Sequence, residues 1–371
     1  MERILITGGA GFIGSHLADG LIERGYRVRV LDTLNEQVHG DIRQPPEYLN
    51  PAVEFMHGDV RDAGSVREAL REVDAVFHFA AAVGVGQSMY QIERYTDINN
   101  RGTAVLLQRL IEQPVKKLTV ASSMSVYGEG LYRTSDGRTC APPERPLAQL
   151  QRGDWELRDE RGEALQPMPT PESKITSPAS VYALSKYDQE RLCLLVGQAY
   201  NIPTVALRFF NVYGTRQALS NPYTGVLAIF ASRYLNGNSP LIFEDGEQRR
   251  DFVNIRDLVQ ACLLSLERDE AAGRVFNVGS GRNYTVREIA EHMGRLLGKE
   301  DIQPVITRNY RVGDIRHCFA DIGEAQDILG YRPRIGLEEG MAELVEWLQT
   351  QAAFDRFEAA SEELSKRGLR L

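Results

Sequence analysis

Tyr182-Ala183-Leu184-Ser185-Lys186 sets a phenol and an ammonium at positions i and i+4 of a helical pattern. Side chains at that spacing share one helix face. A free tyrosine has a pKa of about 10 and is a poor base at neutral pH. A neighbouring positive charge favours the phenolate, which can take a proton from an alcohol. Upstream, Val120-Ala121-Ser122-Ser123-Met124-Ser125-Val126-Tyr127-Gly128 runs from an apolar strand into a serine-rich end. Hydroxyls at such a strand end can donate to a developing alkoxide or ketone.

The partner chemistry lies near the N-terminus. Gly8, Gly11 and Gly14, with Phe12 and Ile13 between the last two, follow the apolar run Ile4-Leu5-Ile6 and precede a helical pattern. Glycines at this spacing permit a tight turn and let a pyrophosphate approach the backbone, at a helix N-terminus that offers free N–H groups. Asp32 ends the next strand, placed to accept hydrogen bonds from adenine-ribose hydroxyls. Its charge would repel a 2′-phosphate, and Thr33-Leu34-Asn35 offers no compensating base. The cofactor expected is therefore NAD, not NADP. The positive nicotinamide of that cofactor would also favour a Tyr182 phenolate. Asp59-Val60, after a strand-like Val53–Met56, suits an adenine contact and equally a turn cap.

These groups need a scaffold. The first 210 residues alternate strand and helix patterns: Ile4–Thr7, Gly14–Arg24, Tyr26–Leu31, Val66–Val73, Ala75–Phe79, Glu93–Gln113, Lys117–Ala121, Ala179–Tyr200 and Thr204–Phe209. That order predicts an α/β fold with a doubly wound parallel Rossmann sheet. Residues 1–210 are expected to form the NAD-binding domain. Residues 211–371 are expected to be mainly a smaller, mixed α/β substrate-binding lobe, with some segments returning to the Rossmann domain. The insert 129–178 lacks a sustained period, and a stretch of that length is usually functional or mobile. It is expected to be a partly ordered flap whose arginines and Trp155 cover the substrate. Within 211–371, Gly225–Leu235 and Val286–Leu297 read as helices, and Ser239–Phe243, Val275–Val278 and Pro304–Thr307 as extended segments. The tail Ala352–Leu369, with Phe354, Phe357 and Leu364, reads as an amphipathic helix lying on the body.

Composition is that of a globular chain: 43% hydrophobic, 25% charged, net charge −8. A net negative balance without a long basic run argues against nucleic-acid or anionic-membrane binding. No stretch of 18 apolar residues and no signal peptide is evident. Cys140, Cys193, Cys262 and Cys318 form no Cys-x-x-Cys pair. Reduced thiols in the cytoplasm and no metal are the expectation. Adjacent His317 and Cys318 would point to opposite faces of a strand.

Together these motifs resemble the extended short-chain dehydrogenase/reductase superfamily, in particular its NAD-dependent nucleotide-sugar epimerases and dehydratases. The likeness runs from Gly8 to Tyr331. It implies that Ser123 assists Tyr182 and that Lys186 grips the nicotinamide ribose. It further implies that His78-Phe79-Ala80-Ala81 is the fourth-strand signature and that Asn99 belongs to the D-x-N-x-x-G-T helix, both near the cofactor. Asn211, in Leu207-Arg208-Phe209-Phe210-Asn211-Val212-Tyr213-Gly214, is implied to contact the sugar-diphosphate. Arg250 (Arg250-Asp251-Phe252) and Arg311 with Asp314 (Arg311-Val312-Gly313-Asp314) are implied to grip the nucleotide, dTDP- or UDP-linked. Phe243 suits a place beside the base and equally the core. A homodimer through the helices Glu93–Gln113 and Ala179–Tyr200 is implied too.

Dehydratases of this superfamily carry Asp-Glu after the catalytic Thr, and decarboxylases usually Glu before Val-Tyr-Gly. Here Met124 and Ser125 occupy those positions. Neither is an acid or base at neutral pH. The reading is a nucleotide-sugar 4-epimerase, with the phrase around Ser123 similar to dTDP-L-rhamnose 4-epimerases. The alternatives are a UDP-glucuronate decarboxylase or nucleotide-sugar dehydratase using a displaced acid, and a nucleotide 4-keto-sugar reductase. A reductase would need exchangeable NADPH, against which Asp32 speaks.

Overall fold

The structure is a computed structural model. It describes residues 2–218, 225–311, 313–349, 351 and 357–370. Seven strands form one sheet: β1 (Arg3–Thr7), β2 (Arg27–Asp32), β3 (Glu54–His57), β4 (Ala75–His78), β5 (Lys117–Ser123), β6 (Thr204–Phe209) and β7 (Val275–Val278). Their order is β7-β6-β5-β4-β1-β2-β3, and every neighbouring pair is parallel. Alternation along β1 explains the layers. Ile4 and Ile6 enter one core with Leu17, Leu21 and Leu258, while Leu5 enters the opposite core with Leu106, Leu110 and Cys193. Helices therefore cover both faces, as a fully parallel sheet requires. The strand order reverses between β1 and β4, and ligands of such sheets bind at that point, outside the strand carboxyl ends.

Two sequence readings change. Val275–Val278 is not part of the smaller lobe; it is the outer strand of the main sheet, paired with β6. The long helix read over Glu93–Gln113 is three helical stretches, Ile92–Tyr95, a π-helical Thr96–Arg101 and Gly102–Glu112. The wide turn carries Asn99, and π-bulges are frequent at functional sites.

The second lobe has its own core around Tyr213, Phe230, Tyr234, Met293, Met341 and Leu344. Its short strand pairs include Asn211–Tyr213 with Phe252–Asn254, and Leu241–Ile242 with Val305–Ile306. The insert is more ordered than its sequence suggests. Leu131–Arg133 pairs antiparallel with Thr139–Cys140 and Gln166–Met168, over a small core of Tyr132, Leu157 and Leu165. A buried ion network fastens it to the second lobe. Arg316, fully buried, donates to Glu156 of the insert and to Glu244 and Asp245 of the lobe, and Arg145 of the insert donates to Glu244. His317 and Cys318 are both buried, and His317 meets Glu156 at 3.1 Å, so its role is structural and not at the surface. The tail helix spans Phe357–Lys366, with Leu364 buried. Phe354 and residues 352–356 lie outside the described residues, as does any description of the Phe357 side chain.

Candidate active site

The glycine turn is built by packing. Gly8 has φ +71°, and a Cβ there would meet the Ala80 nitrogen at 2.8 Å. A Cβ on Gly14 would meet the Gly9 Cα at 2.5 Å. Gly11 differs: its added Cβ would meet only the Gly8 carbonyl oxygen, at 3.4 Å. The protein's own packing leaves that position open toward the cleft. Gly11 is also the N-cap of the helix Phe12–Glu23 and satisfies none of its first N–H groups with a side chain. Open space over free helix N–H groups is what a pyrophosphate needs.

Asp32, at the end of β2, accepts from the backbone N–H of Ala10 at 3.0 Å and of Leu34 at 2.9 Å. Two bonds leave a carboxylate with acceptor capacity for ribose hydroxyls. His39 lies 3.7 Å from Asp32, a neighbour absent from the sequence reading. Burial lowers its pKa from the usual histidine value, so it does not supply the cation a 2′-phosphate would need. Asp59 lines the cleft, and it accepts from Arg61 through the backbone N–H at 2.8 Å and through the guanidinium, as a turn residue does.

One cleft of about 720 Å³ connects these groups to the far site. Its lining includes Gly8, Gly11, Phe12, Ile13, Gly14, Asp32, Asp59, Val60, Phe79, Ala80, Ala81, Ser123, Tyr182, Lys186 and Asn211. Asn99 stands behind that wall. It is fully buried, accepts from Ala82 N–H at 2.7 Å and donates to Ser185 at 2.8 Å. It therefore fixes the cofactor-side loop to the catalytic helix instead of facing the cleft.

The serines of β5 part ways because successive strand residues point to opposite faces. Ser122 donates to Glu190 at 2.6 Å, and Glu190 in turn holds Arg208 of β6. Ser123 lines the cleft beside Tyr182 and meets the Ser125 hydroxyl at 2.7 Å. Ser180 caps the helix Val181–Tyr200. The Tyr182 N–H donates to Ser88 Oγ at 3.0 Å, and Tyr95 meets its ring edge-on. Burial raises the Tyr182 pKa above the usual tyrosine value, and the Ser123 hydrogen bond opposes that rise. Lys186 donates to Gln189 Oε1 at 2.7 Å, and burial lowers its pKa to about 8. Gln189 is itself held by Thr103 and His78, so a closed polar network sits beneath the ammonium. The sequence reading missed Ser88 and Gln189. Gln189 alone left a signal, three residues after Lys186 on the same helix face.

On the other lobe, Asn211 lines the cleft, and its Oδ1 is buried without a hydrogen-bond partner. Arg250, Arg311 and Asp314 are not in the cleft lining. Arg250 is spent on the backbone carbonyls of Arg249, Ile315 and Arg316. The buried Asp251 clamps the loop at Ser280 and Gly281. The Arg311 guanidinium stacks on Phe243, 4.4 Å from the ring centroid, and its Nε is buried without an acceptor.

The profile of the NAD dependent epimerase/dehydratase family matches residues 4–150 and 160–279. The chain belongs to this family. Its cofactor is NAD, and the glycine turn and Asp32 fit that group. Among curated relatives, this family member is 33% identical over 356 residues to dTDP-L-rhamnose 4-epimerase of Burkholderia thailandensis, covering 94% of this chain and 95% of the relative. It is 30% identical to UDP-N-acetyl-alpha-D-glucosaminuronate decarboxylase of Bacillus cytotoxicus, over 94% and 98% of the two chains. Among solved structures it resembles UDP-glucose 4-epimerase of Thermotoga maritima with UDP-glucose, at 34% identity and TM-score 0.76, covering 94% and 98%.

Proposed function

We infer that this protein is an NAD-dependent nucleotide-sugar 4-epimerase, an isomerase. One observation carries the reading: Ser123, Tyr182 and Lys186 meet at one cleft, and among the described cleft-lining residues no carboxylate comes from their strand or their helix. Among the described residues lining the cleft, the acids are Asp32, Glu36 and Asp59, all at or just after the ends of β2 and β3. The acids nearest in sequence are engaged elsewhere: Glu190 accepts from Ser122 and Arg208, and Asp188 accepts from Asn100. Glu129 accepts from Tyr132 and the Arg316 N–H, and Glu172 from the Asn277 N–H. Elimination and decarboxylation need an acid or base beyond the tyrosine. Oxidation and re-reduction at one carbon do not.

In this reading Tyr182 takes the proton of the sugar C4 hydroxyl, and Ser123 donates to the same oxygen as it becomes a ketone. Lys186, steadied by Gln189, supplies positive charge at the cleft floor. The glycine turn and Asp32 would hold NAD, which would supply the hydride acceptor and donor for oxidation at C4 and re-reduction from the opposite face of the turned 4-keto sugar. Asn211 and Arg311 with Asp314 hold the sugar-diphosphate, and Trp155 of the insert, packed on Tyr310, walls that subsite. Residues 1–210 serve the cofactor and residues 211–371 mainly the nucleotide sugar. The nucleotide is dTDP- or UDP-linked, and the Burkholderia relative favours dTDP-L-rhamnose. The deciding experiment incubates the protein with a panel of dTDP- and UDP-sugars and reads products by NMR. Inversion at C4 is expected; loss of carbon dioxide or water, or a demand for NADPH, would replace this reading with an alternative. Because the reaction is redox-neutral, the purified protein should release NAD(H) on denaturation. Recovery of mainly NADP would contradict the role of Asp32.

A homodimer is the proposed assembly. Leu184 and Leu195, three turns apart on one face of Val181–Tyr200, are both more than half exposed, as is Ile92 nearby in sequence to the π-helical stretch. Sedimentation should give a species near twice 41.6 kDa at micromolar concentration. A monomer alone would refute it. A reducing, cytoplasmic setting suits the four free cysteines.

A further inference from the structure

Among the described residues, the basic side chains lining the cleft are His39, Arg61, Arg94 and Lys186. Burial lowers the pKa of His39 from the usual histidine value and so disfavours its cation. Arg61 is committed to Asp59 and Asp97. Lys186 serves the catalytic end. Arg94 alone is held by neutral groups: its Nη1 donates to Gln37 Oε1 at 3.2 Å and to Gln91 Oε1 at 3.0 Å. Its Nη2 and Nε make no hydrogen bond among the described residues, and both keep surface open to solvent.

The partners fix where Arg94 stands. Gln37 lies in the helix Glu36–His39, just after Asp32. It exchanges two amide hydrogen bonds with Gln87, at 3.1 and 3.2 Å. Gln87 belongs to the helix Val85–Ser88, whose Ser88 holds the Tyr182 N–H. Tyr95, next to Arg94, donates to the same Gln87 at 3.1 Å and meets the Tyr182 ring. Arg94 is therefore held where the adenosine end of the cleft, marked by Asp32, is tied to the nicotinamide end, marked by Tyr182. Ile98, one turn further on, lines the cleft as well.

We propose that Arg94 is a further cofactor-binding residue whose guanidinium grips the pyrophosphate of NAD and supplies the charge that the glycine turn lacks. This rests on the NAD site and not on the epimerase reading. The pyrophosphate joins adenosine to the nicotinamide ribose, so it lies between the two ends that the Gln37–Gln87 pair connects. The helix N-terminus at Gly11 offers N–H groups and only about half a positive charge to a doubly negative ligand. Asp32 and Glu36 in the same lining add negative charge. A guanidinium fork matches two phosphate oxygens, and such charge-assisted hydrogen bonds are roughly twice as strong as neutral ones. Gln37 and Gln91 hold Nη1 through amide oxygens, which orient the guanidinium without cancelling its charge. Nη2 and Nε remain as the donors for the ligand.

The test follows exchange of bound NAD for radiolabelled NAD on the purified holoenzyme, with the thermal midpoint of each variant as the check of folding. Arg94→Met is expected to release NAD about tenfold faster, as loss of one charged hydrogen-bonding contact does. Arg94→Lys should recover part of the loss, since it keeps the charge and loses the fork. Gln91→Glu leaves Arg94 in place but gives it a carboxylate partner, and it should also speed release. An arginine with a merely structural role would be held more firmly by that carboxylate, and release would not quicken. Displacement by fragments locates the contact: Arg94→Met should weaken ADP-ribose about tenfold and leave adenosine unchanged. If Arg94→Met does not fold, Arg94→Gln is read in its place. Unchanged release in these variants, or a loss that adenosine shares equally with ADP-ribose, overturns the proposal and leaves the epimerase reading standing. If the unaltered protein exchanges too slowly to follow, equally slow exchange in Arg94→Met overturns it as well.

Discussion

Tyr182→Phe is expected to cut turnover by about 10²–10⁴-fold, the usual worth of a positioned general base, with nucleotide-sugar affinity and NAD content unchanged. The substitution removes one oxygen from a ring that Tyr95 and the Ser88 hydrogen bond to the backbone still hold in place. What is lost is the group that exchanges a proton with the sugar hydroxyl. The pH profile gives a second check. In the unaltered enzyme, deprotonation of Lys186 near its lowered pKa of about 8 removes the positive charge on the cleft floor as pH rises. Activity should therefore fall on the alkaline side. Lys186→Met should be slow and should lack that limb. Near-normal turnover in Tyr182→Phe would remove the tyrosine from the chemistry.

Arg316→Met is expected to be the most destabilising single change outside the catalytic groups. Removing one partner of a buried charge network typically costs about 3–5 kcal/mol, because the remaining charges are left desolvated and uncompensated. Glu244 is almost fully buried, whereas Glu156 and Asp245 are about one-third exposed and can recruit water. The lower end, about 3 kcal/mol, is therefore expected. Arg145 continues to neutralise one side of Glu244, which also limits the loss. Urea denaturation followed by fluorescence measures it. Since Glu244 follows Phe243 directly, nucleotide affinity should weaken more than NAD retention. A variant with the unaltered midpoint would show that the network is ornamental.

The insert illustrates where sequence reading stops. Its ligatures join residues 129, 145 and 156 to 244, 245 and 316, and no periodicity relates positions so far apart. Composition marked the segment as irregular, and polar residues read as solvated. Buried pairing made them a rigid attachment. Arg250 is a similar case: the R-D-F element was visible, but only the fold revealed that its guanidinium satisfies three carbonyls. Val275–Val278 was visible as a strand, but its short apolar run carries no information about which sheet edge it will join.

The amino-acid sequence by itself determined the parts whose physics is local: the glycine turn before a helix, the carboxylate closing β2, the Tyr182–Lys186 helix face and the alternation that yields a parallel sheet. These depend on neighbours within a few residues, so spacing suffices. Only the tertiary structure decided that Ser122 is committed to Glu190, that Asn99 works from behind the cleft, that Gln189 holds Lys186, and that Arg370 arrives beside Arg311. Each of those depends on burial and on hydrogen-bond partners brought from distant segments, and a polar side chain's partner is chosen by the fold that encloses it.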